Sequence, residues 1–263
     1  MSTVTSLASF TGVNGSYPEA GLVRGDDGNF YGTTLSGGQH NAGVIFRITP
    51  TGTLTRLVSL NTNTGSYPYA GLVKNTDGNF YGTTSAGGTN GWGTVFKVTS
   101  GGTLTPLISF DGTNQSLAYA GLVRGSNGNF YGTTYGGGMY GFGTVFKITT
   151  NGDLTTLASF SNNDGAYPYA GLIEAIDGNF YGTANDLVFR VNFIPPKISI
   201  TRSNNNVILS WPSPSTGYAL QQNGNLNTTN WTNFGGQVSD NGTNISAIIS
   251  FPTGNNYFRL MHP

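Results

Sequence analysis

Apolar residues fall along this chain in short runs, broken by glycine, asparagine and aspartate, and the runs return on a fixed schedule. The motif Gly-Asn-Phe-Tyr-Gly-Thr begins at Gly28, Gly78, Gly128 and Gly178, a period of 50 residues without drift. In the first period the runs occupy residues 20–24, 29–34, 44–49 and 54–60. They are rich in Val, Ile, Leu, Phe, Tyr and Thr and bounded by turn residues, which suits strands and not helices. The first two runs are joined by Asp27-Gly28, Asp77-Gly78, Asn127-Gly128 and Asp177-Gly178. Such pairs supply the positive φ angles of a two-residue hairpin. Thr51-Gly52, Gly101-Gly102 and Asn151-Gly152 join the third and fourth runs in the same way. Four antiparallel strands per period match a propeller blade of kelch-like length. The predicted fold is all-β, with a four-bladed β-propeller over residues 1–194.

The ends of the array carry a second prediction. Residues 3–10 (TVTSLASF) match the fourth strand of a repeat, LTTLASF at 154–160. The last repeat runs through its third strand at 187–192 and stops at Ile194-Pro195-Pro196, without a fourth. Surplus and deficit are complementary. Residues 3–10 are expected to close the last blade of their own chain, which removes exposed edges. The rival is an exchange in which they complete a neighbour and build a dimer or filament. Residues 195–263 break the period and show about six short strands, predicted as a small β-sandwich. Its expected core is Trp211, Tyr218, Leu220, Trp231, Phe251 and Phe258, and its small size suggests support from the propeller.

Composition narrows the partners. Charged residues make up 8% of the chain and balance to zero, which gives no footprint for a phosphate backbone or an anionic membrane. The 41 glycines follow no collagen period, so they read as turns. Without cysteine there are neither disulfides nor thiolate metal sites. No apolar run approaches the roughly 20 residues that span a bilayer, so membrane insertion is not expected. No signal peptide precedes the first repeat, so an exported protein would be represented here by its mature form or by a piece that starts after the signal. The Asn/Gly/Ser/Thr-rich, charge-poor surface is that of secreted bacterial β-proteins.

Strands that alternate in direction place the tight turns on one face and the long loops, 11–19 and 36–43, on the other, where function tends to reside. The within-blade loops differ while the rest of the repeat is nearly constant. They read Gln39-His40-Asn41, Thr89-Asn90-Gly91-Trp92 and Met139-Tyr140-Gly141-Phe142, and the fourth copy has lost seven residues. The candidate ligand-binding residues are His40, Asn41, Asn90, Trp92, Tyr135, Tyr140 and Phe142, rings to stack on a sugar or a protein and polar groups to hydrogen-bond it. The competing reading, packing between adjacent loops, is the commoner use of such rings. Tyr17-Pro18, Tyr67-Pro68 and Tyr167-Pro168 read as entries to the innermost strand with φ fixed by proline, and repeat three has Leu117-Ala118 instead.

Catalytic groups do not assemble. The two histidines are His40 and His262, and no serine stands in an elbow context. Asp27, Asp77 and Asp177 are turn residues. Asp26-Asp27 and Asn163-Asp164 lack the spaced acids of a calcium loop. The expectation is therefore no catalytic residues, no metal, no cofactor and no enzyme. The series Arg24, Lys74, Arg124, Glu174 and the series Arg47, Lys97, Lys147, Arg190 read as solvated faces or inter-blade pairs with Asp27-type residues.

The units Y-P-x-A-G-L-(V/I), D-G-N-F-Y-G-T-T and G-T-V-F-K-(V/I)-T recur in register across residues 1–192. In them the chain resembles the GloVer-type tandem repeat of bacterial choice-of-anchor surface proteins. The resemblance implies a secreted or surface-displayed bacterial protein with no catalytic residues to carry over, and the usual anchor signal is absent here. The C-terminal segment is similar to the immunoglobulin-like or fibronectin III-like modules that end many bacterial secreted proteins. The expected function is a non-catalytic extracellular binding protein that recognises glycan or protein through the long-loop face. The alternative is a structural or adhesive subunit that self-associates through residues 3–10 or the C-terminal module.

Overall fold

A computed structural model describes residues 2–192, 196–213, 218–250 and 254–261. Among them the chain is all-β, without a helix, and divides into two compact units, Met1–Val191 and Asn192–Pro263. Each unit is taken by itself.

The first unit holds four small antiparallel sheets, one per repeat. They are β1 (Val23–Arg24), β2 (Phe30–Thr34), β3 (Val44–Ile48) and β4 (Leu54–Ser59), then β5 (Val73–Lys74), β6 (Phe80–Thr84), β7 (Thr94–Val98) and β8 (Leu104–Ser109). The third is β9 (Val123–Arg124), β10 (Phe130–Thr134), β11 (Thr144–Ile148) and β12 (Leu154–Ser159). The fourth has three strands, β13 (Ile173–Glu174), β14 (Phe180–Ala184) and β15 (Leu187–Val191). The innermost strands are two residues long instead of the expected five, because the Ala-Gly pair ahead of each stays out of the ladder.

The turns are one residue longer than expected. Gly25 donates to the Asn29 carbonyl (2.8 Å) and Gly28 back to Gly25 (3.2 Å), so the loop is residues 26–28. Only Gly28 takes a positive φ there, +78°. This is a three-residue hairpin with glycine in the left-handed position. The Asp27 carboxylate is thereby free for the strand: it accepts from Asn29 N (3.1 Å) and from the Tyr31 hydroxyl (2.7 Å).

Each letter of the repeated motif has a packing task. The Tyr31 ring stacks on Phe80 of the next repeat, and Tyr81–Phe130 and Tyr131–Phe180 repeat the contact, at 4.2, 4.3 and 4.0 Å between centroids. A methyl group at Gly32 would lie 2.7 Å from Phe46 Cζ and 2.8 Å from Leu22 Cδ2, so only glycine fits beneath that ring. The hydroxyls of Thr33, Thr83 and Thr133 donate to the carbonyls of Ala70, Ala120 and Ala170 in the following repeat, at 2.9, 2.9 and 3.2 Å. The charge series also joins repeats. Lys74 pairs with Asp26, Arg124 donates to Asn75 Oδ1 (2.7 Å), and Glu174 accepts from Ser126 N and Oγ, both at 2.8 Å. The partner in the ion pair is Asp26, because Asp27 is committed to its own turn.

Ring closure by residues 3–10 is not what the structure shows. This segment forms no strand and has no ladder to β15. It follows its side chains onto the first repeat: Ala8 and Phe10 pack on Val44, Phe46 and Ile48, with Phe10 edge-on to Phe46 at 5.0 Å. Phe110 against Phe146 and Phe160 against Phe189 occupy the same seat in later repeats, at 5.6 and 4.9 Å. A Cβ at Gly71 would approach the Gly21 carbonyl and one at Gly171 the Gly121 carbonyl, while one at Gly21 would meet nothing within 4 Å. Among the described residues no ladder joins the first repeat to the last, and β15 keeps an open edge.

The second unit has two antiparallel sheets. Strands β16 (Ser199–Ser203), β17 (Asn206–Pro212), β21 (Asn244–Ser250) and β20 (Val238–Asp240) form one, in that order. Strands β19 (Thr232–Asn233), β18 (Ala219–Asn223) and β22 (Tyr257–Met261) form the other. Leu209, Trp211 and Ala247 from the first meet Leu220 and Leu260 from the second in one core, with Tyr218 and Phe258 packed against it. Trp231, expected in this core, instead lies beneath the Arg259 guanidinium at 4.4 Å. Phe251 lies outside the described residues.

Candidate functional site

The long loops of each repeat are knitted together. Ser16 N donates to Ser36 O (2.9 Å), Ser36 N returns to Ser16 O (3.1 Å), and Gly38 N reaches Gly12 O (2.8 Å). The equivalent bonds join Ser66 to Ala86 and Ser116 to Gly136. At this face four residues in equivalent positions, Tyr17, Tyr67, Leu117 and Tyr167, take φ of 58°, 57°, 59° and 53°. Positive φ in a bulky side chain costs about 1–3 kcal/mol and persists only where neighbours impose it. Both backbone groups are held. Tyr67, Leu117 and Tyr167 donate N–H to Ala42, Trp92 and Phe142 of the preceding repeat, and their carbonyls accept from residues 85 and 135 in the first two cases.

Fixing that backbone aims a row of phenols. Tyr69, Tyr119 and Tyr169 occur once in each of the last three repeats, with Tyr69 edge-on to Tyr119 at 5.0 Å and Tyr119 stacked on Tyr169 at 4.7 Å. Tyr135 adds a second layer, edge-on to Tyr119 at 5.5 Å and stacked on Tyr167 at 4.8 Å, and Phe142 meets Tyr167 edge-on at 5.6 Å. Burial, and then the neighbouring phenols of Tyr69, Tyr169 and Tyr135, push the Tyr119 hydroxyl above its ordinary pKa. The outer end stays wet: Tyr169 is 57% exposed. The first repeat breaks the row with exposed Glu19 in the tyrosine position.

Of the residues expected from sequence, the structure brings Tyr135 and Phe142 together through Tyr167. His40, Asn90 and Tyr140 sit on the exposed tips of three successive loops. Asn41 serves its own loop, with φ of 52° and its Oδ1 accepting from Gly37 N at 3.1 Å. Trp92 lies half exposed across Gly112, where a Cβ would be 2.3 Å from Nε1. Sequence reasoning missed Tyr69, Tyr119, Tyr167 and Tyr169. The signal was there, a tyrosine ahead of Ala-Gly in three repeats of four, but it lay inside a segment read as an entry to a strand.

The tight-turn face is structural by contrast. Asp77 and Asp177 accept from the Tyr81 and Tyr181 hydroxyls at 2.9 and 2.8 Å, and Asn127 Nδ2 donates to the Tyr131 hydroxyl at 2.8 Å. Burial and the hydrogen bond to Asp27 or Asp77 push Tyr31 and Tyr81 up to about 12. Asp27 is held below its ordinary range, first by the Tyr31 hydroxyl. Among the described residues no group of three or more His, Cys, Asp or Glu side chains is placed to hold a metal ion.

Solved structures give distant likenesses. The extracellular domain of a protein described as a hybrid two-component system of B. thetaiotaomicron matches at 12% identity and a TM-score of 0.48, over 72% of this chain and 25% of that one. This chain therefore spans about a quarter of the length of that extracellular domain. A gluconolactonase of Xanthomonas campestris matches at 14% identity and a TM-score of 0.43, over 72% of this chain and 67% of its own. A protein described as a 6-phosphogluconolactonase of Bacteroides uniformis matches at 15% and 0.43, over 86% and 76%. Two of the three bear the names of enzymes, and the expectation that the chain is not an enzyme is withdrawn on that account; none of their activities is carried to it. No curated protein matches the sequence. The model of the Gloeobacter/Verrucomicrobia repeat matches residues 1–190, and the chain belongs to that repeat family.

Proposed function

We propose that the repeat unit is an extracellular bacterial binding module that takes a glycan along the tyrosine row. One observation carries the reading: Tyr69, Tyr119 and Tyr169 recur in three successive repeats on the long-loop face, with the outermost ring in water. Rings are the part of a surface that gives large contact area at low entropic cost, and their hydroxyls supply the polar tips that orient a ligand. The left-handed backbone at Tyr17, Tyr67, Leu117 and Tyr167 supports it, because imposed strain of this kind collects at ligand sites. His40, Asn90, Trp92 and Tyr140, on the loop tips, would form the outer rim and set specificity. In this reading the protein is secreted or displayed at the cell surface, and the C-terminal unit, read as an immunoglobulin-like or fibronectin III-like module, carries the repeats.

The test is a glycan array followed by titration calorimetry. Binding that disappears in Tyr169→Ala, with a circular dichroism spectrum that shows the fold retained at the assay temperature, supports the reading. An intact protein that binds nothing on a broad array defeats it.

A further inference from the structure

The two ends of the repeat array are the two halves of one contact, and the chain makes that contact three times internally. At every boundary between repeats, a tyrosine of one repeat stacks on a phenylalanine of the next and a threonine hydroxyl reaches an alanine carbonyl. The donor half of this set, Tyr181 and Thr183, stands at the end of the array. The acceptor half, Phe30 and the carbonyl of Ala20, stands at its start. Both halves are uncovered. Leu22 is 54% exposed, while Leu72, Leu122 and Leu172 are each 9% exposed. Val188 is 78% exposed, while its equivalents Ile45, Val95 and Val145 are fully buried.

Two further features single out the far end. Ile176 stands fully exposed in the turn between β13 and β14, where the first three repeats carry Asp26, Thr76 and Ser126. An apolar residue substituted there points to a covered surface, not a solvated turn. Strand β15 also presents an open edge with the sequence Leu-Val-Phe-Arg-Val, in which Arg190 is the one charge and no proline interrupts the run.

We propose that a second copy of this chain docks here head to tail, its start against the other's end. The contact is the one already built at each internal boundary, so its side-chain fit is given. Tyr181 would stack on the partner copy's Phe30, and Thr183 would donate to its Ala20 carbonyl. Residues 3–10 of the incoming copy travel with its first repeat, seated on Phe46, and so arrive beside β15. There they supply the missing fourth strand. The pairing of β11 with β12 sets the register: Val145 faces Ala158 and Lys147 faces Thr155. The transferred register places Val188 opposite Ala8 and Arg190 opposite Thr5 of the partner copy. A head-to-tail contact of this kind closes a ring or grows a filament.

Sedimentation velocity of the full chain across the micromolar range tests it. Wild type should exceed monomer mass in a concentration-dependent way. Leu22→Arg and Val188→Arg, each on one end face and each checked by circular dichroism, should both be monomeric alone. Mixed, they should give a one-to-one heterodimer, since each retains the half the other has lost. Ile176→Arg, in an exposed turn and set against the partner copy's Arg24 where the internal boundary pairs Asp26 with Lys74, should weaken association at least ~10-fold without altering the melt. Wild type that remains monomeric overturns the proposal, whether its end faces are covered by its own chain or by nothing. Association that survives both arginine variants overturns it too, by placing the contact elsewhere.

Discussion

Tyr31 and Phe80 lie ring on ring, 4.2 Å between centroids with planes 28° apart, and each belongs to a different repeat. The pair is one tooth of a zip that runs through the array, and it explains why Phe and Tyr are adjacent in the motif. In a strand they point to opposite faces, so one reaches back to the preceding repeat and the other forward to the next.

The first prediction follows from breaking one tooth. Tyr131 is buried between repeats three and four, stacked on Phe180 at 4.0 Å. Tyr131→Ala should cost about 3–5 kcal/mol, the range for a buried aromatic. That corresponds to a fall in Tm of roughly 10 °C for a chain of this size. Tyr181→Ala, at the open end, should cost far less in dilute solution. Equal losses in the two melts would show that the rings do not hold the repeats together.

A second prediction separates two kinds of glycine. Gly82 has an ordinary φ, but a methyl group there would lie 2.6 Å from Phe96 Cζ. Gly178 has open space around it and a φ of +75°. Gly82→Ala should destabilise by about 1–3 kcal/mol through overpacking, and adding Phe96→Leu should recover part of the loss. Gly178→Ala should cost about 1 kcal/mol through backbone strain alone, with no rescue from any neighbouring truncation. Chemical denaturation of the four variants checks both.

Most of the fold was legible because repetition makes it so. Gly28, Gly78, Gly128 and Gly178 set the register, and the four-strand sheets follow from apolar runs between turn residues. The closure was not legible. Residues 3–10 match a fourth strand in sequence, but a match does not say whose sheet it joins, and Phe10 takes its place from Phe46. The candidate site was half legible. Tyr135 and Phe142 stood out because they lie in loops that vary. Tyr119 and Tyr169 did not, because a side chain inside a constant segment reads as packing until the backbone at Leu117 and Tyr167 is seen turned to positive φ.

Alkaline pH should unfold the repeats. Tyr31 and Tyr81 have hydroxyls pushed up to about 12, first by burial and then by the hydrogen bond to Asp27 or Asp77. An unfolded tyrosine ionises near 10. A group whose pKa is higher in the folded state stabilises fully below the unfolded value and loses that contribution as pH rises through the folded one. Stability should therefore be flat below about pH 10 and fall between about 10 and 12. Ultraviolet titration of tyrosinate alongside circular dichroism checks it: a subset of phenols should ionise only as the fold is lost. Smooth titration of all phenols near pH 10 in a folded protein would contradict it.

The tyrosine row gives the last prediction, because its one gap is a natural experiment. Tyr119 touches three rings, those of Tyr69, Tyr135 and Tyr169. Aromatic pairs contribute about 0.5–1.5 kcal/mol each beyond the area they bury, so Tyr119→Ala should cost at least ~2 kcal/mol. At the equivalent position of repeat one stands exposed Glu19, one repeat before Tyr69. Repeat one already packs on repeat two at this level, since a Cβ at Gly71 would be 3.5 Å from Ala20 Cβ. Glu19→Tyr should therefore extend the row by one ring and raise the Tm by a few degrees, about 1 kcal/mol at this size. If the row binds glycan, the same substitution should also lengthen the platform and tighten binding of a longer oligosaccharide while leaving a short one unchanged. A rise in stability without that length dependence would mean that the rings hold the repeats together and bind nothing.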